Sequence, residues 1–408
     1  MDKRKIIFAG IFLVVCVAIG FLLYWVFFAK KEQPAGVVAP GAEAPAAGQF
    51  PTAGTGQPTL PTTKPGQLPT AVTKPVTPKT VTPGVAPSYP IASRIDSSIL
   101  GTSKDTIGSA KFYNTTDGKF YRLGKDNKVT ALSDEVFYNV QNVTWSPTKN
   151  ESVIEYPDGS NIYYNFDTKK QVSLPKHWQD FSFSPLGDKI ASKSMGLSSE
   201  NRWLVTADPQ GKSIKLIEPL GDNADKVTVD WSPNKQIVAM SATGEPQGAD
   251  KQEILFVGLQ GENFRSIIVE GRGFESQWSP TGKKLLYSVY SARSDFKPEL
   301  WIVNAEGDSI GTGRKMLNLN TWSEKCAFTD ERFLYCAIPT QLQTGAGFAP
   351  ALADGTNDLI YKIDSETGIK TEIKTDGYNV IDSMFIGDDG KTLYFNDKNK
   401  TGLFSLPL

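Results

Sequence analysis

One short unit recurs along the chain and limits how it can fold. Trp-Ser-Pro begins at Trp145, Trp231 and Trp278, and looser copies occur elsewhere. The copies centre on aromatic residues at intervals of 38, 48, 47, 50 and 57 residues, namely Trp145, Phe183, Trp231, Trp278, Phe328 and Phe385. Intervals of this length suit one four-stranded unit per copy. Because one such unit cannot bury both of its faces, the copies must stack on one another.

The local pattern within each copy predicts four short strands. Around Trp278, ESQWSP and KKLLYSVY read as the first two strands, ELWIVNA as the third and RKMLNL as the fourth. Ser-Pro ends the first strand, and a Gly or Asn turns the chain into the second. The aromatic residue of each copy is expected to pack between neighbouring sheets.

No segment after residue 94 keeps a helical period, so the sequence predicts an all-β fold. We expect a β-propeller of seven four-stranded blades, with six or eight blades as alternatives. Residues 109–134 supply strands two to four of the first blade. Residues 381–408 supply strands one to three of the last blade, and residues 97–109 complete the two ends.

The motifs SPTGKKLLY (279–287), SPLGDKIAS (184–192) and DDGKTLYF (388–395) carry a family resemblance. Over about residues 110–408 the chain resembles the TolB and tricorn-type branch of WD-repeat-like β-propellers. Most copies lack the Asp that this family has at the third position, and the Phe328 copy replaces the turn with Asp-Glu-Arg. The resemblance implies a fold rather than one function, because such propellers serve as periplasmic scaffolds, peptidase gates and glycan binders.

The N-terminal region predicts a membrane anchor. Residues 6–29 carry no charge, and an apolar helix of this length spans a hydrocarbon core of about 30 Å. A cleavable signal peptide is the alternative, but Lys30 and Lys31 follow the apolar run directly, without a small-residue cleavage site. We therefore expect residues 1–31 to form a short cytoplasmic tail and a single transmembrane helix. The rest of the chain is then extracytoplasmic.

A proline-rich segment follows the predicted anchor. Residues 32–93 hold 13 of the 26 prolines and few large apolar residues, a composition that predicts a disordered tether. This leaves residues 94–408 as the propeller domain, which carries a net charge of −6. A domain with this charge has no general attraction for nucleic acid.

Motifs of catalysis and metal binding are sparse. Residues 307–311 match the Gly-x-Ser-x-Gly pattern of hydrolases, but they lie in a turn between two predicted strands rather than between a strand and a helix. The only histidine, His177, precedes Ser309, whereas the hydrolase order requires it afterwards. We therefore predict no catalytic residue, no metal site and no cofactor, and place His177 in a surface loop.

The connections between the second and third strands vary most in length: 193–201, 241–252, 288–298 and 338–357. In a propeller they open on the same face as the links between blades. Five aromatic residues precede the first strands on that face: Tyr138, Trp178, Phe274, Trp322 and Tyr378. These residues are the predicted binding mouth. The alternative is that their rings plug the channel or pack between blades.

Cys326 and Cys336 flank the irregular turn of the Phe328 copy. If the segments on either side of this turn pair as a hairpin, the two cysteines lie directly opposite each other, close enough for a disulfide. An oxidising compartment outside the cytoplasm preserves such bonds. Two reduced, buried thiols are the alternative.

Together these features predict a non-catalytic propeller, held at the cell membrane, that binds a protein, a peptide or a cell-wall glycan. A different class remains possible, namely a glycosidase-like propeller enzyme with carboxylates in the central funnel. A third possibility is a purely structural surface protein, in which the tether sets the distance between the membrane and the propeller.

Overall fold

The computed structural model describes residues 92–408, apart from residues 246, 263 and 376. This part of the chain forms seven antiparallel sheets of four strands each. The predicted all-β propeller with seven blades is therefore confirmed. The predicted anchor and nearly all of the predicted tether lie outside the described residues.

The strands follow one another with short connections. In chain order they are β1 (Ser93–Asp96), β2 (Ile99–Lys104), β3 (Ala110–Asn114), β4 (Lys119–Leu123), β5 (Val129–Ala131), β6 (Asn142–Trp145), β7 (Glu151–Glu155), β8 (Asn161–Asn165), β9 (Lys170–Leu174), β10 (Trp178–Phe183), β11 (Ile190–Met195), β12 (Arg202–Ala207), β13 (Lys215–Pro219), β14 (Val227–Val229), β15 (Ile237–Ser241), β16 (Gln252–Gly258), β17 (Ile267–Val269), β18 (Arg272–Trp278), β19 (Lys284–Tyr290), β20 (Glu299–Asn304), β21 (Lys315–Met316), β22 (Cys326–Phe328), β23 (Phe333–Pro339), β24 (Asp358–Asp364), β25 (Lys370–Ile373), β26 (Ile381–Ile386), β27 (Thr392–Asp397) and β28 (Leu403–Pro407).

Six short 3-10 helices interrupt the connections: Ser199–Asn201, Gly221–Lys226, Ala292–Ser294, Gly307–Ser309, Ser323–Lys325 and Pro350–Ala353. Within the described range, the helices are all too short to cross a bilayer.

The ring is closed by strands from both ends of the described chain. Blade one is β2 to β5, the blades then follow in order, and blade seven combines β26, β27 and β28 with β1. Residues 97–109 complete the first blade, as expected, but the strand that completes the last blade lies earlier, at Ser93–Asp96. The Arg94 guanidinium donates hydrogen bonds to the backbone carbonyls of Lys400 and Thr401. It also lies 5.5 Å from the centre of the Phe404 ring.

The first strand of each blade faces the centre of the ring. β2 contacts β6, β6 contacts β10, and β26 contacts both β22 and β2. Connections from second to third strands, and those between blades, therefore share one side, which we call the upper face. Turns from first to second and from third to fourth strands form the lower face.

The lower face explains why the sequence repeats Ser-Pro. The Ser279 N–H donates to the Lys284 carbonyl (2.9 Å), and the Ser279 Oγ accepts from the Lys284 N–H (3.0 Å). The Gly282 N–H donates to the Ser279 carbonyl, with Gly282 at φ 74°. The turn at Ser232 makes the same three bonds, but there Lys235 takes the left-handed position at φ 68°. The sequence pattern favours Gly or Asn in the left-handed position, but Asn234 does not occupy it. Its side-chain oxygen accepts a hydrogen bond from the Ser232 hydroxyl.

A cluster of apolar side chains fills each of the seven interfaces between neighbouring blades. Each anchor aromatic of blades two to six packs against the preceding blade, as predicted; these are Trp145, Phe183, Trp231, Trp278 and Phe328. In blade seven, Ile386 takes the equivalent place, and Phe385 faces blade one. The alignment of Phe385 with the other anchors was wrong by one residue, which reverses the face of a strand.

Candidate functional site

Two variable loops of the upper face, from blades five and six, are joined by backbone hydrogen bonds. The Gly345 N–H donates to the Asp295 carbonyl (2.9 Å), and the Gly347 N–H donates to the Phe296 carbonyl (2.7 Å). The long loop of blade six therefore reaches over blade five, and each loop fixes the backbone of the other.

These loops carry a group of aromatic rings that we call the aromatic patch: Tyr290, Phe296 and Phe348. The ring of Phe348 lies 5.8 Å from that of Tyr290 and 6.0 Å from that of Phe296, edge to face in both cases. Phe296 is 40% exposed and Phe348 is 60% exposed. Aromatic residues, phenylalanine included, are enriched in protein–protein interfaces, and rings already held by their neighbours lose little freedom on binding.

The backbone at Phe296 is strained. Asp295 and Phe296 have φ values of 54° and 55°, a region that bulky residues rarely enter. Such a conformation costs about 1–3 kcal/mol and persists where surrounding structure imposes it. Here the Phe296 N–H donates to the Ser291 carbonyl (2.9 Å), and its carbonyl is held by Gly347. The position of the Phe296 ring is therefore imposed by the two loops together.

A glycine permits this close approach. A Cβ on Gly347 would lie 2.5 Å from the Cβ of Tyr290 and 2.7 Å from the carbonyl oxygen of Phe296. Neither atom belongs to the free end of a flexible side chain. The aromatic patch therefore depends on glycine at this position.

A second feature is a row of carboxylates near the channel, carried by three consecutive blades. Glu275 lies in β18, Glu324 precedes β22, and Asp382 lies in β26. Burial and then the neighbouring Glu324 raise the pKa of Glu275 to about 7. Burial and then Asp382 raise the pKa of Glu324. These groups share one electrostatic environment, although raised pKa values alone do not make an acid–base pair.

The described residues show little else that is typical of an enzyme. They contain no group of three or more His, Cys, Asp and Glu side chains placed to hold a metal ion. Ser309 lies in a 3-10 helix, and its Oγ donates to the Glu306 carbonyl (2.6 Å). His177 is exposed just before β10, in a different blade from Ser309.

Three of the five residues of the predicted mouth remain at least partly accessible. Tyr138 is 74% exposed and Tyr378 is 49% exposed. The Tyr378 hydroxyl donates to the Gly355 carbonyl. Phe274 is half-buried, 5.7 Å from the ring of Tyr287, in the cluster between blades four and five.

The other two residues of the predicted mouth are inside the protein. Trp178 is 3% exposed and packs 6.4 Å from the ring of Phe181. Trp322 is 4% exposed and packs beneath Ala346 and Ala353 of the long blade-six loop. Exposure of these two rings was the wrong expectation, because Trp178 packs between blades two and three and the long blade-six loop covers Trp322. Packing, the alternative interpretation, describes both.

The sequence located the right loops but not the aromatic patch. Phe296 and Phe348 lie within the variable connections 288–298 and 338–357. The available signal was an aromatic residue in a glycine-rich loop, Gly345-Ala-Gly-Phe348. Only the structure shows that this loop meets the neighbouring blade.

The cysteine pair has the predicted register. Cys326 in β22 pairs with Cys336 in β23, and their sulfurs are bonded at 2.07 Å. Both residues are fully buried in the interface between blades five and six. The disulfide therefore lies beneath the loops that carry the aromatic patch.

The closed ring of seven four-stranded sheets makes the chain a β-propeller with WD40-like blades. No family model matches the sequence. A segment of 143 residues is 24% identical to a component of eukaryotic translation initiation factor 3 from Emericella nidulans, covering 32% of this chain. The match spans about a fifth of that relative, 19% of its length.

Among solved structures, an oligogalacturonate lyase in complex with manganese matches with a TM-score of 0.55 and 13% identity, over 78% of this chain and 93% of its own. The β-propeller domain of Cps50 (Swd1) from Myceliophteria thermophila matches with a TM-score of 0.52 and 12% identity, over 78% and 99%. At such identities the likeness shows the fold alone. The TolB and tricorn-type branch stays a prediction.

Proposed function

We propose that this chain is a membrane-tethered, non-catalytic binding module that holds a protein partner outside the cytoplasm through the aromatic patch. The observation that supports it most directly is the exposed Phe296–Phe348 pair. Two loops fix these rings, so little side-chain entropy is lost on binding. A partner's apolar side chain could pack between them and exclude water.

The location outside the cytoplasm rests on sequence and chemistry. The uncharged residues 6–29 are long enough to span a bilayer, and the proline-rich residues 32–93 are suited to hold the propeller away from it. The Cys326–Cys336 disulfide agrees with an oxidising compartment, where such bonds persist.

A site-specific photo-crosslink tests the binding proposal. The full chain, in membranes of intact cells, carries a benzophenone amino acid in place of Phe348. The control carries it in place of Ile369, which is 65% exposed in the lower-face turn after β24. We expect a discrete adduct from position 348 alone, and its loss when Phe296→Ala is added. The proposal is contradicted if both positions give equal crosslinking, or if the adduct from position 348 is still formed in the Phe296→Ala variant.

Protease added to intact cells tests the orientation. We expect the propeller to be released from the cell surface, because the segment that joins it to the predicted anchor would lie outside the cytoplasm. In cells with an outer membrane, the same result is expected after that membrane is permeabilised. Protection until the inner membrane is lysed would place the propeller in the cytoplasm and overturn the orientation.

A further inference from the structure

The upper face holds a cavity where the ring closes, between blades seven and one. We call it the seam cavity; it measures ≈590 Å³ and is lined by residues that include Thr102, Asp382, Ser383, Asn396 and Lys398. Its size falls within the range of about 300–1,000 Å³ that is typical of small-molecule sites. It is separate from the aromatic patch of blades five and six.

The polar groups of the seam cavity have unused hydrogen-bonding capacity. The Asn396 Nδ2 donates to the Thr102 Oγ1 (2.7 Å) and to the Ser383 Oγ (3.0 Å). Each of these hydroxyls thus accepts a bond and keeps its own hydrogen. The Oδ1 of Asn396 is buried and has no partner among the described residues. The cavity therefore offers two hydroxyl donors close together, beside an unpaired acceptor that is itself buried.

Acidic groups outnumber basic groups around the seam cavity. The Lys398 Nζ lies 3.3 Å from Asp382 and 3.2 Å from Asp354. Asp397 accepts bonds from the backbone N–H groups of Val380, Asn399 and Lys400. The carboxylates outnumber the ammonium group of Lys398, so an anion is disfavoured and a neutral molecule is tolerated. The hydroxyl groups of such a molecule can accept hydrogen bonds from the two donors of the cavity.

A second groove lies on blade two and on the connection that leads into it from blade one. We call it the tyrosine groove; it measures ≈670 Å³ and is lined mainly by Tyr138, Val140, Tyr156, Pro157 and Ile162. Tyr138 offers an accessible ring with a polar hydroxyl. Asp158 at the rim forms an ion pair with Lys176 at 3.1 Å.

One tight turn separates the seam cavity from the tyrosine groove. Thr115 lines the cavity, and its N–H and hydroxyl both donate to the Ser98 carbonyl (2.7 and 2.8 Å). At the other end of this turn, the Gly118 carbonyl accepts from the Phe137 N–H (2.7 Å), next to Tyr138. The turn is fixed on both sides, so the two sites keep a constant separation.

We propose that the seam cavity and the tyrosine groove together bind a neutral oligosaccharide laid across blade one. One sugar ring enters the seam cavity and accepts hydrogen bonds from the hydroxyl groups of Thr102 and Ser383, which Asn396 holds in place. A later ring of the same chain stacks on Tyr138, because sugar rings present apolar faces that pack on aromatic surfaces. Binding at this site is independent of the partner held by the aromatic patch.

Calorimetric titration of the purified full chain tests this proposal. The probes are neutral oligomers of one to six units, from the β-1,4-linked N-acetylglucosamine and the β-1,4-linked glucose series. We expect the affinity to rise at least tenfold at the length that reaches Tyr138. Thr102→Val should weaken binding of every length about tenfold, and Tyr138→Ala should remove only the gain of the longer oligomers.

Matched controls separate this site from the protein-binding site. Thr130→Val makes the same substitution on the exposed outer strand β5 and should leave every affinity unchanged, as should Phe348→Ala. Ser383→Ala repeats the test of the cavity with a smaller change, and thermal melting confirms that each variant is folded. The proposal is overturned if no oligomer binds saturably, or if Thr102→Val, Ser383→Ala and Tyr138→Ala leave binding unchanged.

Discussion

The lower and upper connections of blade five differ in what determines their shape. The lower turn, 279–284, is shaped by bonds among its own residues that the turn at Ser232 repeats, and Asn234 and Glu331 of the neighbouring blades add bonds to it. The upper loop, 291–298, takes part of its geometry from the loop of blade six. The repeat therefore specifies the lower face and the packing of the blades, while the upper face is free to differ from blade to blade. Such variation on a rigid scaffold is where binding sites arise.

The largest effect is expected at the anchor aromatic beside the lower turn. Trp278→Ala should lower the free energy of unfolding by about 3–5 kcal/mol, because it leaves a cavity between blades four and five. Chemical denaturation of the variant and the parent chain measures this loss. Phe348→Ala, an aromatic truncation on the upper face, is the matched control. Equal losses from the two variants would contradict the division between the faces.

The next effect concerns the disulfide. Replacing Cys326 and Cys336 together with serine should cost about 2–3 kcal/mol, mainly because the unfolded chain gains freedom. Denaturation under non-reducing conditions measures it, with Cys16→Ser as the control. If the double variant were as stable as the control, the bond would have no structural role.

Glycine at the lower turn should matter more than a glycine of the upper loop that has open space around it. Gly282→Ala should cost about 1–2 kcal/mol, because Gly282 is left-handed at φ 74° and L-residues disfavour that region. Its Cβ would also lie 2.9 Å from the Asn234 nitrogen. In Gly355→Ala, the added Cβ in the blade-six loop has no neighbouring atom within 4 Å. This substitution should change the stability little. Thermal melting compares the two; the opposite order would show that the repeat does not control this turn.

Glu275, in the row of carboxylates, should make the stability of the protein depend on pH. The pKa of Glu275 is about 7 in the folded protein and near 4.5 in the unfolded chain. Between these values the unfolded chain binds fewer protons, so rising pH disfavours folding. Glu275→Gln should therefore raise the Tm relative to the parent chain at pH 8 and much less at pH 4. A constant difference across this range would show that Glu275 does not cause the dependence.

The smallest effect on stability is expected at the aromatic patch. Phe348 is 60% exposed and keeps only edge-to-face contacts with Tyr290 and Phe296, so Phe348→Ala should lower the free energy of unfolding by about 0.5–1 kcal/mol. The same variant should remove binding of the protein partner. A large loss of stability would show that Phe348 belongs to the core.

Sequence predicted those parts of the fold that depend on local chemistry. The Ser-Pro turns were readable because serine, proline and a left-handed residue must follow in a fixed order. The pairing of Cys326 with Cys336 followed from counting along one hairpin. β1 was not located, since the four residues from Ser93 to Asp96 carry no repeat motif and pair with a strand at the far end of the chain.

The upper face could be predicted only as a set of loops. An aromatic residue before a strand can point outwards, as Tyr138 does, or inwards, as Trp178 does, and local sequence does not distinguish the two. The conformation of Phe296 depends on Gly347 in another blade. Such contacts between separate loops leave no local pattern to read.

The closure at β1 also has a mechanical consequence. The outermost strand of blade seven is the one that continues into the N-terminal part of the chain, so any tension on that part acts first on Ser93. The backbone hydrogen bonds between β1 and β28 would resist this tension. The hydrogen bonds from Arg94 to the carbonyls of Lys400 and Thr401 would resist it as well. We expect β1 to detach from β28 before other strands separate, and Arg94 to add to the force that this step requires.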